Sequence, residues 1–267
     1  MRLKLRFGGQ SAIVAVPEPH SVDAVKAIAA QAFQLECIDT VSLFAGFPPF
    51  GALCSAGDVR DGSLVEVRQA RMSRHSVPAD NSCLFTAVAW LLGLACAPGA
   101  QRRLVADAVL RDRARWDAAT LGREPEAYAA HIARDATWGG GVDLAILAEA
   151  HGTELAAVEV RSGTLYVFGE GRGLARRAYL VFDGLHYDAL ALEAAAAGQP
   201  QRVVAADDAA AQAAAVAFAR EARQARRFTD LQSFTLSCVD CAEGLAGEAA
   251  ARAHAAKTGH TNFAEYA

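Results

Sequence analysis

The sequence predicts an α+β protein of three consecutive units: a small unit of strands around one helix, a larger unit of mixed helices and strands, and a zinc-stapled finger. Three observations predict it. Residues 1–69 show strand-like alternation on both sides of a single amphipathic helical stretch. Residues 77–193 interleave helix-length apolar patterns with short apolar runs bounded by turn residues. Near the C-terminus, Cys238-Val239-Asp240-Cys241 is followed after twelve residues by His254 and after five more by His260, the spacing of a four-ligand zinc site.

In the first unit (1–70), Leu3, Leu5 and Phe7 alternate with Lys4 and Arg6, which predicts a strand over Leu3–Phe7, with a second over Ala12–Val16. A helix is expected from Ser21 to about Phe33. Ser21 supplies a capping oxygen, Asp23 suits the positive end of the dipole, and Val22, Val25, Ile28, Ala29 and Ala32 mark one apolar face. A last strand follows at Ser63–Val67, and strand, strand, helix, strands is the ubiquitin-like order. Leu43-Phe44-Ala45-Gly46-Phe47-Pro48-Pro49 reads as a strand running into a Pro-Pro turn, which would present Phe47 and Phe50 rigidly. Such a tip is equally a docking site or the plain end of an edge strand.

Residues 71–76 read as a short polar linker to the largest unit (77–195). There, helices are expected at Leu84–Ala95, Arg102–Asp112 and Val142–Ala150, the last closed by Gly152. Strands are expected at Leu155–Val160, Thr164–Phe168 and Ala178–Phe182, with Arg161-Ser162-Gly163 as a hairpin turn. The alanine-rich stretch 203–229, with Arg220, Arg223, Arg226 and Arg227 near its end, reads as a solvated connecting helix leading to a finger at 234–262.

Composition excludes several classes. With 53% hydrophobic and 21% charged residues the chain can bury a core, and a net charge of −4 gives no broad footprint for nucleic acid or an anionic membrane. Four arginines do not make a nucleic-acid patch. The N-terminus lacks the apolar run of a secretory signal, and Asp207, Asp208 and Gln212 break the only long alanine-rich window, so a soluble protein without membrane insertion is expected. Six cysteines without dense even spacing fit a reducing compartment, with Cys37, Cys54 and Cys96 as small buried hydrophobes.

The finger's two thiolates and two imidazoles, Cys238, Cys241, His254 and His260, close a tetrahedron, so its zinc is expected to be structural. Both histidines are placed on one following helix, built from the good helix formers of Glu248–Lys257. That helix offers mostly alanine and Glu248 to a partner, which argues against base reading.

Catalytic chemistry points elsewhere. In Val77-Pro78-Ala79-Asp80-Asn81-Ser82-Cys83-Leu84-Phe85, Cys83 falls at a helix start, where amide dipoles favour a thiolate. Capping by Asp80, Asn81 and Ser82, with Cys83 as buried packing, explains the same residues equally well. A second block tips the balance: the strand Tyr179–Phe182 ends in Asp183-Gly184-Leu185-His186-Tyr187-Asp188. His186 can take the Cys83 proton, and Asp188, two residues on and so on the same side of an extended chain, can hold the other ring nitrogen.

Asp80-Asn81-Ser82-Cys83-Leu84-Phe85, Trp138-Gly139-Gly140 and Asp183-Gly184-Leu185-His186-Tyr187-Asp188 resemble, in that order, the three signature blocks of the OTU deubiquitinases. With a UBX-like N-terminus carrying Gly46-Phe47-Pro48-Pro49 and the C-terminal finger, the whole chain resembles the branch that works with the AAA ATPase Cdc48, or valosin-containing protein. The resemblance implies a UBX-like β-grasp unit, a papain-like OTU catalytic unit and a ββα-type finger. It implies that Cys83 attacks the isopeptide carbonyl at ubiquitin's C-terminus, with His186 as general base and Asp80 in the active site. On the reading of the residues themselves, Asp80 and its neighbours' amides surround the oxyanion and Asp188 orients His186.

It further implies that Trp138, Gly139 and Gly140 line the cleft beside ubiquitin's Gly-Gly tail, where the alternative is an ordinary Gly-rich turn. Phe47, Pro48 and Pro49 are implied to contact the ATPase, although typical UBX domains carry Phe-Pro-Arg at that tip. The expected activity is thiol-dependent removal of ubiquitin and polyubiquitin chains from Cdc48 substrates in protein quality control and ER-associated degradation, in the cytoplasm and the nucleus, with zinc as the structural metal and no cofactor for catalysis. A catalytically silent adaptor binding ubiquitin and the ATPase is the alternative.

Overall fold

A computed structural model describes residues 1–46, 51–53, 55–193, 199–229, 235–260 and 263–265. The first unit opens with a hairpin of β1 (Arg2–Phe7) and β2 (Gln10–Ala15), turned by Gly8 and Gly9, both at positive φ. Helix α1 (Val22–Phe33) starts where the Ser21 hydroxyl accepts the Ala24 amide at 3.0 Å, as its sequence predicts. With β3 (Val41–Ala45), β4 (Gly51–Ala52) and β5 (Leu64–Gln69), the sheet runs β2-β1-β5-β3-β4, and its central pair β1 and β5 is parallel. Leu3, Leu5, Leu43, Val65 and Val67 from the sheet pack with Val25 and Ala29 of α1 into one core. Phe47, Pro48, Pro49 and Phe50, like Cys54, lie outside the described residues.

Residues 71–76 are not a free linker. Met72–His75 form strand β6, which pairs antiparallel with residues 189–192 across more than a hundred residues of chain. Met72 is buried while Ser73 and Arg74 make side-chain hydrogen bonds to the strand opposite, so the polar composition reflects partners in the sheet and not water.

The second unit continues with α2 (Cys83–Leu92), α3 (Pro98–Arg111), α4 (Ala118–Leu121), α5 (Pro125–Ile132) and α6 (Gly141–His151). Then come β7 (Glu154–Glu159), β8 (Leu165–Phe168), β9 (Arg176–Phe182), β10 (Tyr187–Leu192), β11 (Val203–Ala205) and α7 (Ala209–Gln224). The sheet order is β6-β10-β9-β7-β8, with β7 and β9 parallel and β11 extending beside the start of β9. Both faces of this sheet are covered, which is why β7 and β9 are apolar without alternation. Leu155, Ala157, Ala178 and Leu180 face α2, α3 and α6, whereas Ala156, Val158, Tyr179 and Val181 face α7.

Helix α7 therefore differs from the expected solvated connector. Ala211, Ala214, Ala215, Ala219 and Ala222 are buried against the second face of the sheet. Their small side chains let the helix lie close to the strands, and alanine carries too little apolar signal for that face to stand out in the sequence. Ala215 is fully buried, so Ala215→Leu should overpack this layer and cost about 1–3 kcal/mol. Equilibrium urea unfolding measures it, and an unshifted midpoint would show that α7 does not seal the sheet.

The third unit has β12 (Thr235–Cys238), β13 (Gly244–Ala246), α8 (Gly247–Thr258) and β14 (Phe263–Glu265), with sheet order β13-β12-β14. Cys37 and Cys96, expected as buried packing, are half-buried instead, because each lies in a connection between elements and not on a core face. Among the described residues no helix is long and apolar enough to cross a membrane.

Candidate active site

Cys83 is the first residue of α2, and the loop before it is shaped by Asp80, whose carboxylate accepts the Ser82 amide at 2.8 Å while its carbonyl accepts the Cys83 amide at 3.3 Å. The thiol is only 8% exposed. Burial pushes it above its ordinary range, more than hydrogen bonds from the Tyr187 and Leu84 backbone pull it down, and the charges of Asp80 and Asp188 raise it further. Burial thus works against the anion that a helix start favours, and His186 is the candidate base to take the proton.

That base stands at the β9–β10 turn. Asp183 accepts the amides of Leu185 and His186 at 3.0 and 2.8 Å, folding the turn so that His186 enters β10. Gly184 has φ 108°, and a Cβ there would meet the Thr229 carbonyl at 2.6 Å, so the turn demands glycine. His186 donates from Nε2 to Asp188 Oδ1 at 3.0 Å, so a proton taken up by the ring would be received at Nδ1. The Tyr187 backbone bonds the Cys83 sulfur, which brings the His186–Tyr187 step of the strand beside α2. The same environment pushes the Tyr187 phenol up to about 12, chiefly through burial.

The structure divides the two aspartates. Asp188, 1% exposed, holds the imidazole, whereas Asp80 is exposed and holds the loop backbone. Asp188 is itself held: Oδ1 also accepts the Val77 amide at 2.7 Å, and Oδ2 accepts from Arg74 Nε at 2.5 Å and pairs with Arg74 Nη2.

Trp138 is 62% exposed, and its indole N–H donates to Asn81 Oδ1 at 2.5 Å, so the loop of Trp138, Gly139 and Gly140 lies against the cysteine loop. A Cβ on Gly139 would come within 3.0 Å of the Phe85 ring and 3.2 Å of Leu84, which keeps that position a glycine. Gly140 donates its amide to Asp143 Oδ2 at 2.7 Å, and the Tyr128 hydroxyl donates to Asp143 Oδ1 at 2.9 Å. Burial raises both the Asp143 carboxyl and the Tyr128 phenol.

Two residues of this site escape a reading of the sequence. Arg74 lies in the segment expected to be a linker, and Arg102 opens an expected helix without standing out from its other cations. Arg102 is fully buried; its guanidinium donates to the carbonyls of Asn81, Ile132 and Asp135 and to Ser82 Oγ, and lies 4.4 Å over the Phe85 ring. Arg102→Ala would strand the buried Ile132 carbonyl, remove the donor to the part-buried acceptors of Asn81, Ser82 and Asp135 and leave a cavity, at a cost of about 3 kcal/mol. A urea midpoint matching wild type would show that the loop is held otherwise.

The metal ligands come together in the finger. The donor atoms of Cys238, Cys241, His254 and His260 all lie within 4.8 Å of one another, with Cys238 Sγ 3.6 Å from His260 Nδ1 and Cys241 Sγ 3.5 Å from His254 Nε2. Such separations fit a tetrahedral zinc with ligands at about 2.0–2.3 Å. Glu243 Oε2 sits 3.0 Å from His254 Nδ1, which directs Nε2 to the metal. The two histidines are not on one helix: α8 ends at Thr258, and Gly259 at φ 77° turns the chain so that His260 approaches from beyond it. A spacing of six positions is more than the three or four that align side chains on a helix face, so the chain must leave the helix to bring His260 back.

Comparison with known proteins adds three findings. The family described as "Ubiquitin thioesterase OTU1, C-terminal C2H2-type zinc finger" matches residues 232–266. Ubiquitin thioesterase OTU1 of Mus musculus is 41% identical over 212 residues, 76% of this chain and 62% of that protein, and the Homo sapiens protein of the same name is 40% identical over 200 residues, 73% of this chain and 57% of that one. This chain thus spans about three fifths of the length of such relatives. A solved structure described as an Ovarian Tumor (OTU) domain in complex with ubiquitin superposes with a TM-score of 0.54 at 24% identity, covering 59% of this chain and 90% of that one, a likeness of fold.

Proposed function

As this chain belongs to the OTU family in its OTU1 branch, we propose that it is a cysteine-type deubiquitinase that hydrolyses isopeptide bonds at the C-terminus of ubiquitin. The observation that carries this is that the Tyr187 backbone bonds the sulfur of Cys83 at the start of α2, while His186, next to Tyr187 in the chain, is held by the almost wholly buried Asp188. Cys83 sulfur attacks the scissile carbonyl as His186 Nδ1 takes its proton, the tetrahedral oxyanion collapses to the thioester, and the proton passes to the departing lysine amine. Water, deprotonated by His186, then cleaves the thioester and frees the ubiquitin carboxylate. An extended Gly-Gly tail is read as passing beside Trp138, Gly139 and Gly140, where small residues let it come close to backbone.

The N-terminal unit is read as UBX-like, docking on the AAA ATPase Cdc48 through Phe47, Pro48 and Pro49. The sheet order β2-β1-β5-β3-β4 with its parallel centre supports a ubiquitin-like fold. On this reading the activity acts on polyubiquitinated Cdc48 substrates, in quality control, ER-associated degradation and the unfolded protein response, in cytoplasm and nucleus. A pull-down with the ATPase's N-terminal domain that is unaffected by deleting residues 1–70 would remove that part of the reading.

One observation favours a non-catalytic adaptor: burial holds the Cys83 thiol up. Ubiquitin carrying a C-terminal electrophile decides between the two. A deubiquitinase forms an adduct at Cys83 and turns over a fluorogenic ubiquitin substrate, whereas an adaptor binds ubiquitin and does neither.

A further inference from the structure

We infer that Arg74 is a positioning residue for the reaction proposed above, acting on His186 through Asp188 from a strand outside the three signature blocks. In the pairing of β6 with β10, Arg74 stands opposite Leu190, so its side chain reaches diagonally to Asp188. There Nε and Nη2 both engage Oδ2, and Oδ1 is left for the Val77 amide and His186 Nε2. Every hydrogen bond to this carboxylate therefore has a separate role. Arg74 and Val77 fix the plane of the carboxylate, and the carboxylate fixes the imidazole with Nε2 protonated and Nδ1 free to receive a proton.

Charge gives the contact a second consequence. Asp188 is 1% exposed, and a lone carboxylate so deeply buried is costly. Arg74, 36% exposed at its side chain, brings the counter-charge while its other face stays in water. Were it removed, His186 would become the cationic neighbour that Asp188 has left. The other ionisable groups nearby are Cys83 from α2, Asp80 from the loop and Tyr187 from β10, and Asp183 is occupied by backbone amides in the turn. His75 on β6 is stacked on Trp90, with centroids 3.9 Å apart. Among the described residues no charged side chain of α7 bonds to Asp188 or His186.

The effect on the reaction follows from this geometry. A carboxylate held by fewer bonds aims the imidazole less well, so kcat falls.

The experiment compares wild type, Arg74→Gln and Arg74→Lys in hydrolysis of a fluorogenic ubiquitin substrate, with rates normalised to the fraction of protein that an electrophile-tipped ubiquitin titrates. The expected result for Arg74→Gln is a fall in kcat of ~10–100-fold, with KM nearly unchanged. Arg74→Lys, which keeps the charge and a donor, should restore part of the rate. A merely structural role predicts a lower titratable fraction with normal kcat, which would overturn the inference. Absence of turnover in wild type would instead sink the proposed deubiquitinase activity, and this inference with it.

Discussion

Replacing Cys83 by serine is expected to lower turnover of a ubiquitin substrate by at least ~10³-fold while leaving ubiquitin binding near wild type. A hydroxyl fits where the thiol was, but it holds its proton much more tightly, and the site already disfavours an anion. Burial and the charges of Asp80 and Asp188 push the Cys83 thiol up, so a serine there gives its proton to His186 with far more difficulty. His186→Gln should cost a similar factor, and the double variant little more, because nucleophile and base act as one unit. Residual turnover of a tenth or more in Cys83→Ser would show that another residue attacks. Mass spectrometry of the electrophile adduct, absent at residue 83 in the variant, checks the same point independently.

The second large effect concerns the metal. In the finger, the side chains buried among the described residues are those of Cys238, Leu245 and His254, two of them zinc ligands. So small a core cannot hold three short strands and a helix, and the free energy of zinc binding, about 10–16 kcal/mol for such sites, is in effect the folding free energy of this unit. Cys238→Ser is therefore expected to lose bound zinc and to release fast amide exchange throughout 235–260. Among the described residues, the cores of the second unit contain no finger residue, so turnover of a small ubiquitin substrate should persist. Full amide protection in the variant, at a zinc content near zero, would contradict a metal-stapled finger.

Most of the elements were legible because they rest on local periods. Alternation of Leu3 and Leu5 marks β1, the Ser21 cap and the Val25–Ala29 face mark α1, and apolar runs mark β7 and β9 within a residue or two of their ends. The cysteine loop, the His186–Asp188 step and the spacing of Cys238, Cys241, His254 and His260 were equally plain, since each is a short motif whose geometry follows from the backbone that carries it. Small and irregular pieces escaped. The four-residue α4 has no full turn of pattern, and α5, with Pro125 opening it, spans only eight residues.

By itself, then, the sequence pointed to the order of the units, to Cys83 and His186 as the candidate nucleophile and base, and to the four candidate zinc ligands, all written in neighbouring residues. Only the tertiary structure decided the rest. It placed Asp188 on His186 and left Asp80 to the loop; it turned the supposed linker into β6 and brought Arg74 to a carboxylate 114 positions away. It also laid α7 on the sheet and buried the Cys83 thiol deeply enough to oppose the helix dipole. Beyond the choice between the two aspartates, the physical reason is common. A partner far along the chain is chosen by strand register and layer packing, and desolvation belongs to the assembled layers, so neither leaves a mark in local residue preference.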